Sequence, residues 1–193
     1  MILPGRTLLT RSIIQNIKSP SLQVQPCGID LTLKRILTFR SPGTVDFDNT
    51  HRHTASTTEI PLPEHNNIST SAINNSADRN NSSSNINTHN QDTPFITLAQ
   101  GTYLIEFNET VSVPLDVMGQ IFVRSSLFRS GVAIHAGVMD AGYTGAVGAL
   151  MQVFNAHGVR VSRDARLAQM VFHCMSERVE EGYKGVYQGS GGI

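Results

Sequence analysis

The sequence predicts an all-β sandwich or barrel. Runs of strand length, rich in Val, Ile, Phe and Leu, recur at short intervals with Gly, Pro, Asn or Asp between them. Apart from the N-terminal segment, no stretch keeps a helical period over three turns. The length of 193 residues suits one domain, and the 39% hydrophobic content is enough for an apolar core. Together these observations favour an all-β architecture over an α/β one.

The first predicted element is the N-terminal segment, "MILPGRTLLTRSIIQNIKSP". It is predicted to form a short amphipathic helix whose apolar face comprises Leu8, Leu9, Ser12, Ile13 and Ile17. The segment also carries three basic residues and no acidic one, so a weak mitochondrial transit peptide is the alternative. Its apolar run is too short for a secretion signal, and the helix is the favoured interpretation.

The strands follow the helix. "GIDLTL" alternates as a strand does, and "FITLAQGTYLIEF" is predicted to form two short strands joined through Ala99, Gln100 and Gly101. Three further apolar runs have strand length and composition: "GQIFVRS", "GALMQVFN" and "RLAQMVFH".

Residues 49–93 differ sharply from their surroundings. Asn, Ser, Thr and His dominate, aromatic residues are absent and branched aliphatic residues are isolated. Such a segment buries too little apolar area to offset its ordering entropy, so it is predicted to be a disordered insertion in a surface loop. A long flexible loop adds little closure entropy, and the whole of residues 1–193 is therefore predicted to be a single domain. The scattered histidines have no metal-ligand spacing.

The end of the chain, residues 182–193, contains five glycines. It is either a frayed tail or a flexible flap that wraps phosphates with its backbone amides, because glycine lets the main chain approach an anion closely.

Composition excludes some functions. The formal net charge is zero, so no global charge points to polymeric nucleic acid or to a membrane, and no apolar run approaches the roughly 20 residues that cross a bilayer. Cys27 and Cys174 are far apart without metal-type spacing, which favours two buried thiols in a reducing compartment. An intracellular location, cytoplasmic or nuclear, is expected.

Five motifs occur in a characteristic order: "GID" at 28–30, "RSSL" at 124–127, "AGVMDAGYTG" at 136–145, "RLAQM" at 166–170, and the glycine-rich end. Their order and wording closely resemble the superfamily of trimeric dUTPases and dCTP deaminases, over nearly the whole chain outside residues 49–93. The resemblance implies a distorted jelly-roll (β-clip) fold, a homotrimer with active sites between subunits, and a deoxypyrimidine nucleoside triphosphate as substrate.

The N-terminal half and the tail "VYQGSGG" are more similar to the deaminase branch, including its bifunctional archaeal members. In that branch a glutamate shuttles protons during water attack on the pyrimidine ring, and here Gln152 occupies the matching position. A neutral amide cannot act as a general acid or base. The expected reaction is therefore Mg²⁺-dependent hydrolysis of dUTP to dUMP and diphosphate. A dCTP deaminase, bifunctional or not, and a catalytically silent nucleotide-binding regulator remain the alternatives.

The resemblance assigns the central role to Asp140, which would orient and activate the water that attacks the α-phosphorus. Taken alone, Asp140 is better explained as a turn carboxylate that bonds its own backbone, and only the other motifs favour the base. Tyr143 would pack against the sugar and exclude a 2′-hydroxyl, and the small residues Ala136 and Gly137 would leave room for the base.

The resemblance also assigns the phosphate contacts, which are expected from Arg124, Ser125, Ser126, Gln169, Tyr187, Gln188 and Ser190. A guanidinium suits this task because its planar fork binds phosphate oxygens in pairs. Arg166 is as readily a structural ion-pair partner, and Asp30 would hold a metal-bound water. Mg²⁺ itself is expected to bind mainly through the substrate phosphates. Val186 stands where the deaminase branch tends to carry a lysine, and Lys184 is the candidate to replace it.

Overall fold

The computed structural model describes residues 1–63 and 94–193. Ten strands dominate the described chain, and the predicted all-β class is confirmed. The strands are β1 (Ile14–Gln15), β2 (Ile29–Phe39), β3 (Thr57–Ile60), β4 (Ile96–Leu98), β5 (Gly101–Ser112), β6 (Val117–Val123), β7 (Val132–His135), β8 (Thr144–Val153), β9 (Val159–Val161) and β10 (Arg166–Cys174). Three short helices accompany them: α1 (Gly5–Thr10), α2 (Pro20–Gln23) and α3 (Ser125–Phe128).

Most strands belong to one antiparallel sheet in the order β6-β10-β2-β5-β8-β7, with β1 added to β5 and β3 added to β2. Strands β4 and β9 form a separate antiparallel pair. The large sheet curls until its two ends meet. Just after β7, Met139 pairs with Gly119 of β6 through two backbone hydrogen bonds of 2.9 Å. The result is a nearly closed barrel.

Gly119 is the residue that allows this closure. A Cβ atom at Gly119 would lie 3.1 Å from the Cβ of Met139 and 3.0 Å from the ring of Phe172. Both contacts are tighter than side chains normally make, so a larger residue would push the two backbones apart. The closure also fixes the segment after Met139, which carries the "MDAGYTG" motif.

Fully buried side chains from four strands, β2, β5, β8 and β10, fill much of the interior. The largest include Leu31, Leu33, Ile105, Phe107, Met151, Met170 and Phe172. Burial of each contributes about 1.5–3 kcal/mol relative to an exposed position. The walls that carry the motifs are therefore rigid.

The N-terminal helix is shorter than predicted. It ends at Thr10, Ser12 adopts a positive φ of 52°, and Ile14 begins β1 opposite Val111. The helical spacing of Ile13 and Ile17 was misleading, because a strand that joins the sheet edge buries Ile13 and Ile14 as well as a helix would.

The predicted disorder of residues 49–93 is wrong for the part that the structure describes. Thr57–Ile60 forms β3 and pairs with β2, and Leu62 is buried. A composition average over the segment concealed this short run, in which two threonines and an isoleucine favour an extended backbone. The rest of the prediction, residues 64–93, lies outside the described residues.

The predicted strands all occur, with some changes in length and pairing. The segments on either side of Ala99 and Gln100 form β4 and β5, but β5 is long, and it pairs with β8 and β2 rather than with β4. Both cysteines are free thiols, and Cys27 is exposed rather than buried. No helix in the described ranges is long and apolar enough to span a membrane.

Candidate active site

The third motif lines a pocket of about 360 Å³ beside the closure of the barrel. Its lining comprises Ala136, Gly137, Val138, Met139, Asp140, Tyr143, Ala146, Gly148, Tyr183 and Tyr187. The first residues come from the segment after β7, the next from the start of β8, and the two last tyrosines from the C-terminal tail. Four predicted site residues of the third motif thus line one pocket together with Tyr187 of the tail. The four are Ala136, Gly137, Asp140 and Tyr143.

Asp140 lies at the rim of this pocket. The turn that carries it is closed by backbone groups, since the Tyr143 N–H donates to the Asp140 carbonyl at 3.2 Å and the Gly142 N–H to Val113 at 2.9 Å. Gly142 has a φ of +83°, which favours glycine. The carboxylate of Asp140 is exposed and accepts no hydrogen bond from any described residue. Asp140 is therefore not the turn-capping carboxylate that its local sequence allowed.

Tyr143 forms a wall of the pocket and is only 8% exposed. Its hydroxyl donates to the carbonyl of Ala146 at 2.7 Å, and its ring meets that of Tyr183 edge to face, with centroids 5.6 Å apart. The hydrogen bond and the packing hold the ring in one orientation. A rigid ring of this kind can exclude a substituent from the face that it covers.

The C-terminal tail is docked against this hairpin and is not frayed. Gln188 clamps the turn, because its Oε1 accepts from the Thr144 N–H at 3.0 Å and its Nε2 donates to the Gly142 carbonyl at 2.9 Å. Upstream, the Tyr183 N–H donates to Ala141 at 2.8 Å.

The next tail residues add to the edge of β8. The Gly189 N–H donates to Thr144 at 2.8 Å, and Ser190 accepts from the Ala146 N–H at 2.9 Å. Strand β7 covers only the other half of β8, from Leu150 to Val153. The tail satisfies backbone groups that β7 leaves unpaired, which is the physical reason for its docking.

A second group of predicted residues lies where β10 pairs with β2 and with the end of β6. Asp30, at the start of β2, forms ion pairs with Nε of Arg124 and Nη1 of Arg166, each at 3.1 Å, and the Arg166 contact is also a hydrogen bond. Its side chain is 2% exposed. Burial raises the pKa of Asp30 above its usual value, and the two guanidiniums act in the opposite direction.

Arg166 forms the structural ion pair that its sequence allowed, and the contact of Asp30 with a metal-bound water stays a prediction. Two cations already lie at the same oxygen, and no group of three or more His, Cys, Asp or Glu side chains in the described ranges could hold a metal ion. Arg124 also donates to the Arg166 carbonyl at 2.9 Å.

Ser125 and Ser126 lie beside Arg124, exposed in the first turn of α3. Gln169 lies opposite Asp30 in the β10–β2 pair, and its side chain donates to the carbonyl of Cys27. The structure thus brings the second and fourth motifs together, but away from the pocket.

The distance between the two groups follows from β6. Gly119 of β6 pairs with Met139, the residue before Asp140. Arg124 follows the last residue of the same strand. At roughly 3.3 Å per residue, the backbone of Arg124 is about 17 Å from that of Gly119. One chain therefore does not place its own Arg124 at its own Asp140.

A family model described as dCTP deaminase-like matches residues 3–175. The chain belongs to this family. A probable deoxyuridine 5′-triphosphate nucleotidohydrolase of Methanosarcina acetivorans is 32% identical over 179 residues, 93% of this chain and 88% of that protein. The deoxyuridine 5′-triphosphate nucleotidohydrolase of Methanocaldococcus jannaschii is 32% identical over 168 residues, 86% of this chain and 88% of that protein.

The fold is shared with a solved member of the family, the 2′-deoxycytidine 5′-triphosphate deaminase of Agrobacterium tumefaciens, with a TM-score of 0.57 and 19% identity. The match covers 90% of this chain and 48% of that one. At this identity the likeness concerns the fold alone, and it confirms the predicted dUTPase-like jelly roll.

Gln152, which the resemblance places at the position of the deaminase glutamate, lies near the end of β8, between Thr102 of β5 and Ala133 of β7. It does not line the pocket that holds Asp140. Lys184, the candidate to replace a family lysine, pairs instead with Glu181 at 2.5 Å.

Several residues that sequence reasoning missed lie at or near the site. Tyr183 and Met139 line the pocket, and Tyr183 carried a usable signal as an aromatic residue at the start of a glycine-rich tail. Glu106 and Glu109 are both fully buried in β5. No sequence signal marks them, because a register shift between Glu106 and Thr110 turns both side chains inward.

Proposed function

We propose that the protein hydrolyses dUTP to dUMP and diphosphate with Mg²⁺. One observation carries the proposal: the carboxylate of Asp140 is exposed at the rim of a preformed pocket and has no partner among the described residues. A base needs such freedom, since a carboxylate already engaged in an ion pair cannot readily accept a proton.

In the proposed step, a water oxygen forms a bond to the α-phosphorus. The bond between that phosphorus and the oxygen bridging to the β-phosphorus breaks, and diphosphate leaves with the bonding electron pair. Asp140 orients the water and accepts its proton. The closure of the barrel at Met139 holds the backbone next to this carboxylate, which supports accurate positioning.

The base and sugar are proposed to lie against the rest of the same pocket. Ala136 and Gly137 leave space for a pyrimidine, and an ideal Cβ at Gly137 would meet nothing within 4 Å. The Tyr143 ring, fixed by its hydroxyl, selects deoxyribose by leaving no room for a 2′-hydroxyl.

The residues present fit a cation that arrives on the nucleotide. The described ranges contain no acidic cage, and Mg²⁺ commonly binds through substrate phosphates while it keeps several waters. When bound, Mg²⁺ would neutralise charge on the phosphate oxygens. Asp140 is the one acidic residue among those that line the pocket.

The active form is proposed to be a homotrimer. The cluster of Arg124 and the serines of α3 lies about 17 Å along β6 from the pocket, so a second copy must supply these groups to each site. This arrangement gives each copy two roles, one at its own pocket and one at that of a neighbour.

The two chemistries of the family are separated by a two-substrate assay. The protein is incubated with dUTP and, separately, with dCTP, each with Mg²⁺, and diphosphate, ammonia and nucleotide products are measured. Diphosphate and dUMP from dUTP support the proposal. Ammonia from dCTP would establish a deaminase despite Gln152, and the absence of any product would leave a binding or regulatory role.

A further inference from the structure

A second and larger pocket, of about 760 Å³, adjoins the one that holds Asp140. Tyr143 and Tyr187 line both pockets, so the two volumes are neighbours across these rings. The far wall comes from the loop between β2 and β3 and from the last tail residues. No role has yet been assigned to this pocket.

The lining of the second pocket combines apolar residues, among them Phe39 and Leu104, with groups that can bind an anion. It contains one arginine, Arg52, and one histidine, His53, but no Asp or Glu. Hydroxyl groups also line it, from Thr44, Thr54, Ser56, Thr57, Tyr187 and Ser190. A guanidinium with surrounding hydroxyl donors is the combination that commonly binds phosphate oxygens.

Local structure presents Arg52 to this pocket. Thr44 and His53 pair through two backbone hydrogen bonds, of 2.8 and 3.0 Å, and so fix the residue before His53. The guanidinium carbon of Arg52 lies 5.9 Å from the centroid of the Tyr187 ring, within the range of a cation–π contact.

Arg52 differs from the other arginines near the site because its charge is not neutralised. It forms no ion pair with any residue in the described ranges, whereas Arg35 pairs with Glu106 at 2.6 Å and Arg124 pairs with Asp30. A guanidinium held at a pocket wall without a carboxylate is available to an anionic ligand.

We propose that Arg52 binds the β- and γ-phosphates of the nucleotide whose base and sugar occupy the Asp140 pocket. This inference rests on the proposed function. The nucleotide would pass along Tyr143 and Tyr187, from the pocket that contains Asp140 to the one that contains Arg52. The hydrolysed bond then lies between a proton acceptor on one side and a cation on the leaving group on the other.

The assignment also explains why the tail matters to the site. The Tyr187 ring lies in cation–π range of the Arg52 guanidinium, and Ser190 lines the same pocket. The loop between β2 and β3, through Arg52, and the tail, through Ser190, would thus both contact the β- and γ-phosphates.

The test uses Arg52→Ala, Arg52→Lys and the matched control Arg40→Ala, which removes an exposed arginine of the same loop that does not line the pocket. Steady-state kinetics with dUTP and Mg²⁺ give KM and kcat. Calorimetry gives the affinity for a non-hydrolysable dUTP analogue and for dUMP, which lacks the β- and γ-phosphates.

Arg52→Ala is expected to raise KM for dUTP, and to weaken the analogue, by about tenfold or more, because a charge-assisted contact is lost. Affinity for dUMP should change by less than about twofold, because dUMP has no β- or γ-phosphate for Arg52 to contact, whereas a charge-assisted contact is worth more than that. Arg52→Lys should fall between Ala and the unaltered protein, because it keeps the charge but loses the fork. Arg40→Ala should match the unaltered protein.

Equal affinity of Arg52→Ala and the unaltered protein for the analogue would overturn the inference. An equal loss of affinity for dUMP and for the analogue would also overturn it, because Arg52 would then only stabilise the position of the Tyr187 ring. Failure of the unaltered protein to turn over dUTP contradicts the proposed function instead, and the two failures are therefore distinguishable.

Discussion

The two carboxylates that the motifs place in this chain, Asp140 and Asp30, have opposite surroundings. Asp140 is exposed on a turn held by backbone hydrogen bonds and by the Gln188 side chain, and its carboxylate has no partner among the described residues. The side chain of Asp30 is 2% exposed and forms ion pairs with two guanidiniums.

The difference shows that a motif identifies a residue but not its task. Asp140 is available for proton transfer because a hairpin holds it at the edge of a pocket. Asp30 joins β2 to Arg124 and Arg166, and so orients the arginine that the second motif contributes. We expect substitution at the first site to affect turnover, and substitution around the second to affect stability.

The largest expected effect follows removal of the charge at Asp140. Asp140→Asn should lower kcat by about 10²–10⁴-fold, the usual contribution of general base catalysis, while affinity for a non-hydrolysable dUTP analogue is retained. Single-turnover kinetics and calorimetry measure the two quantities. The control is Asp116→Asn, which alters an exposed ion pair with Arg11. Substantial turnover by Asp140→Asn would remove Asp140 from the role of base.

Removal of the tail should have the next largest effect. A chain truncated after Gly182 loses the Gln188 clamp and the edge pairing of β8, and should show about 100-fold lower kcat/KM because the pocket walls shift. Circular dichroism should still report a folded β protein. Val186→Ala, at an exposed tail position, is the control. Unchanged turnover in the truncated chain would exclude a role for the tail.

The ion-pair cluster is tested by Arg166→Gln. This change leaves the buried Asp30 with one guanidinium, and should lower the free energy of unfolding by about 2 kcal/mol at neutral pH. The loss should become smaller as the pH falls. Burial raises the pKa of Asp30 in the folded protein, and the buried carboxylate costs stability only while it is charged. Urea denaturation at several pH values measures the effect.

Arg11→Gln, in an exposed pair, should change stability by less than about 1 kcal/mol and serves as the control. If Arg166→Gln leaves stability unchanged but raises KM for dUTP, Arg166 binds phosphate and the comparison of the two clusters fails.

The smallest expected effect concerns Glu106, which anchors the end of the tail. Burial acts to raise its pKa, but hydrogen bonds from Lys34, Arg35 and the backbone of Ile193 hold the pKa of Glu106 below its usual 4.5. Its contribution to stability should therefore be present above pH 4.5 and be lost as the pH falls through the folded pKa.

Glu106→Gln should reduce the slope of the unfolding free energy against pH in that acidic range. The reduction is at most about 1.4 kcal/mol per pH unit, which is the contribution of one titrating proton. The measurement is urea denaturation from neutral to acidic pH, with the exposed Glu59→Gln as the control. Identical slopes for the two variants would show that Glu106 does not contribute in this way.

The sequence by itself determined the all-β class, most of the strands, and the motif that lines the Asp140 pocket. These are local properties, because alternation and turn residues are set by neighbours along the chain. The order of the motifs was enough to identify Asp140, Tyr143, Ala136 and Gly137 as one group.

Only the tertiary structure decided which charged residues are free and which are paired. Burial of Asp30 and Glu106, the strand formed by Thr57–Ile60, and the approach of Arg52 to Tyr187 all depend on segments distant in sequence. Periodicity and composition describe one segment at a time, whereas burial and electrostatic pairing are properties of segments brought into contact.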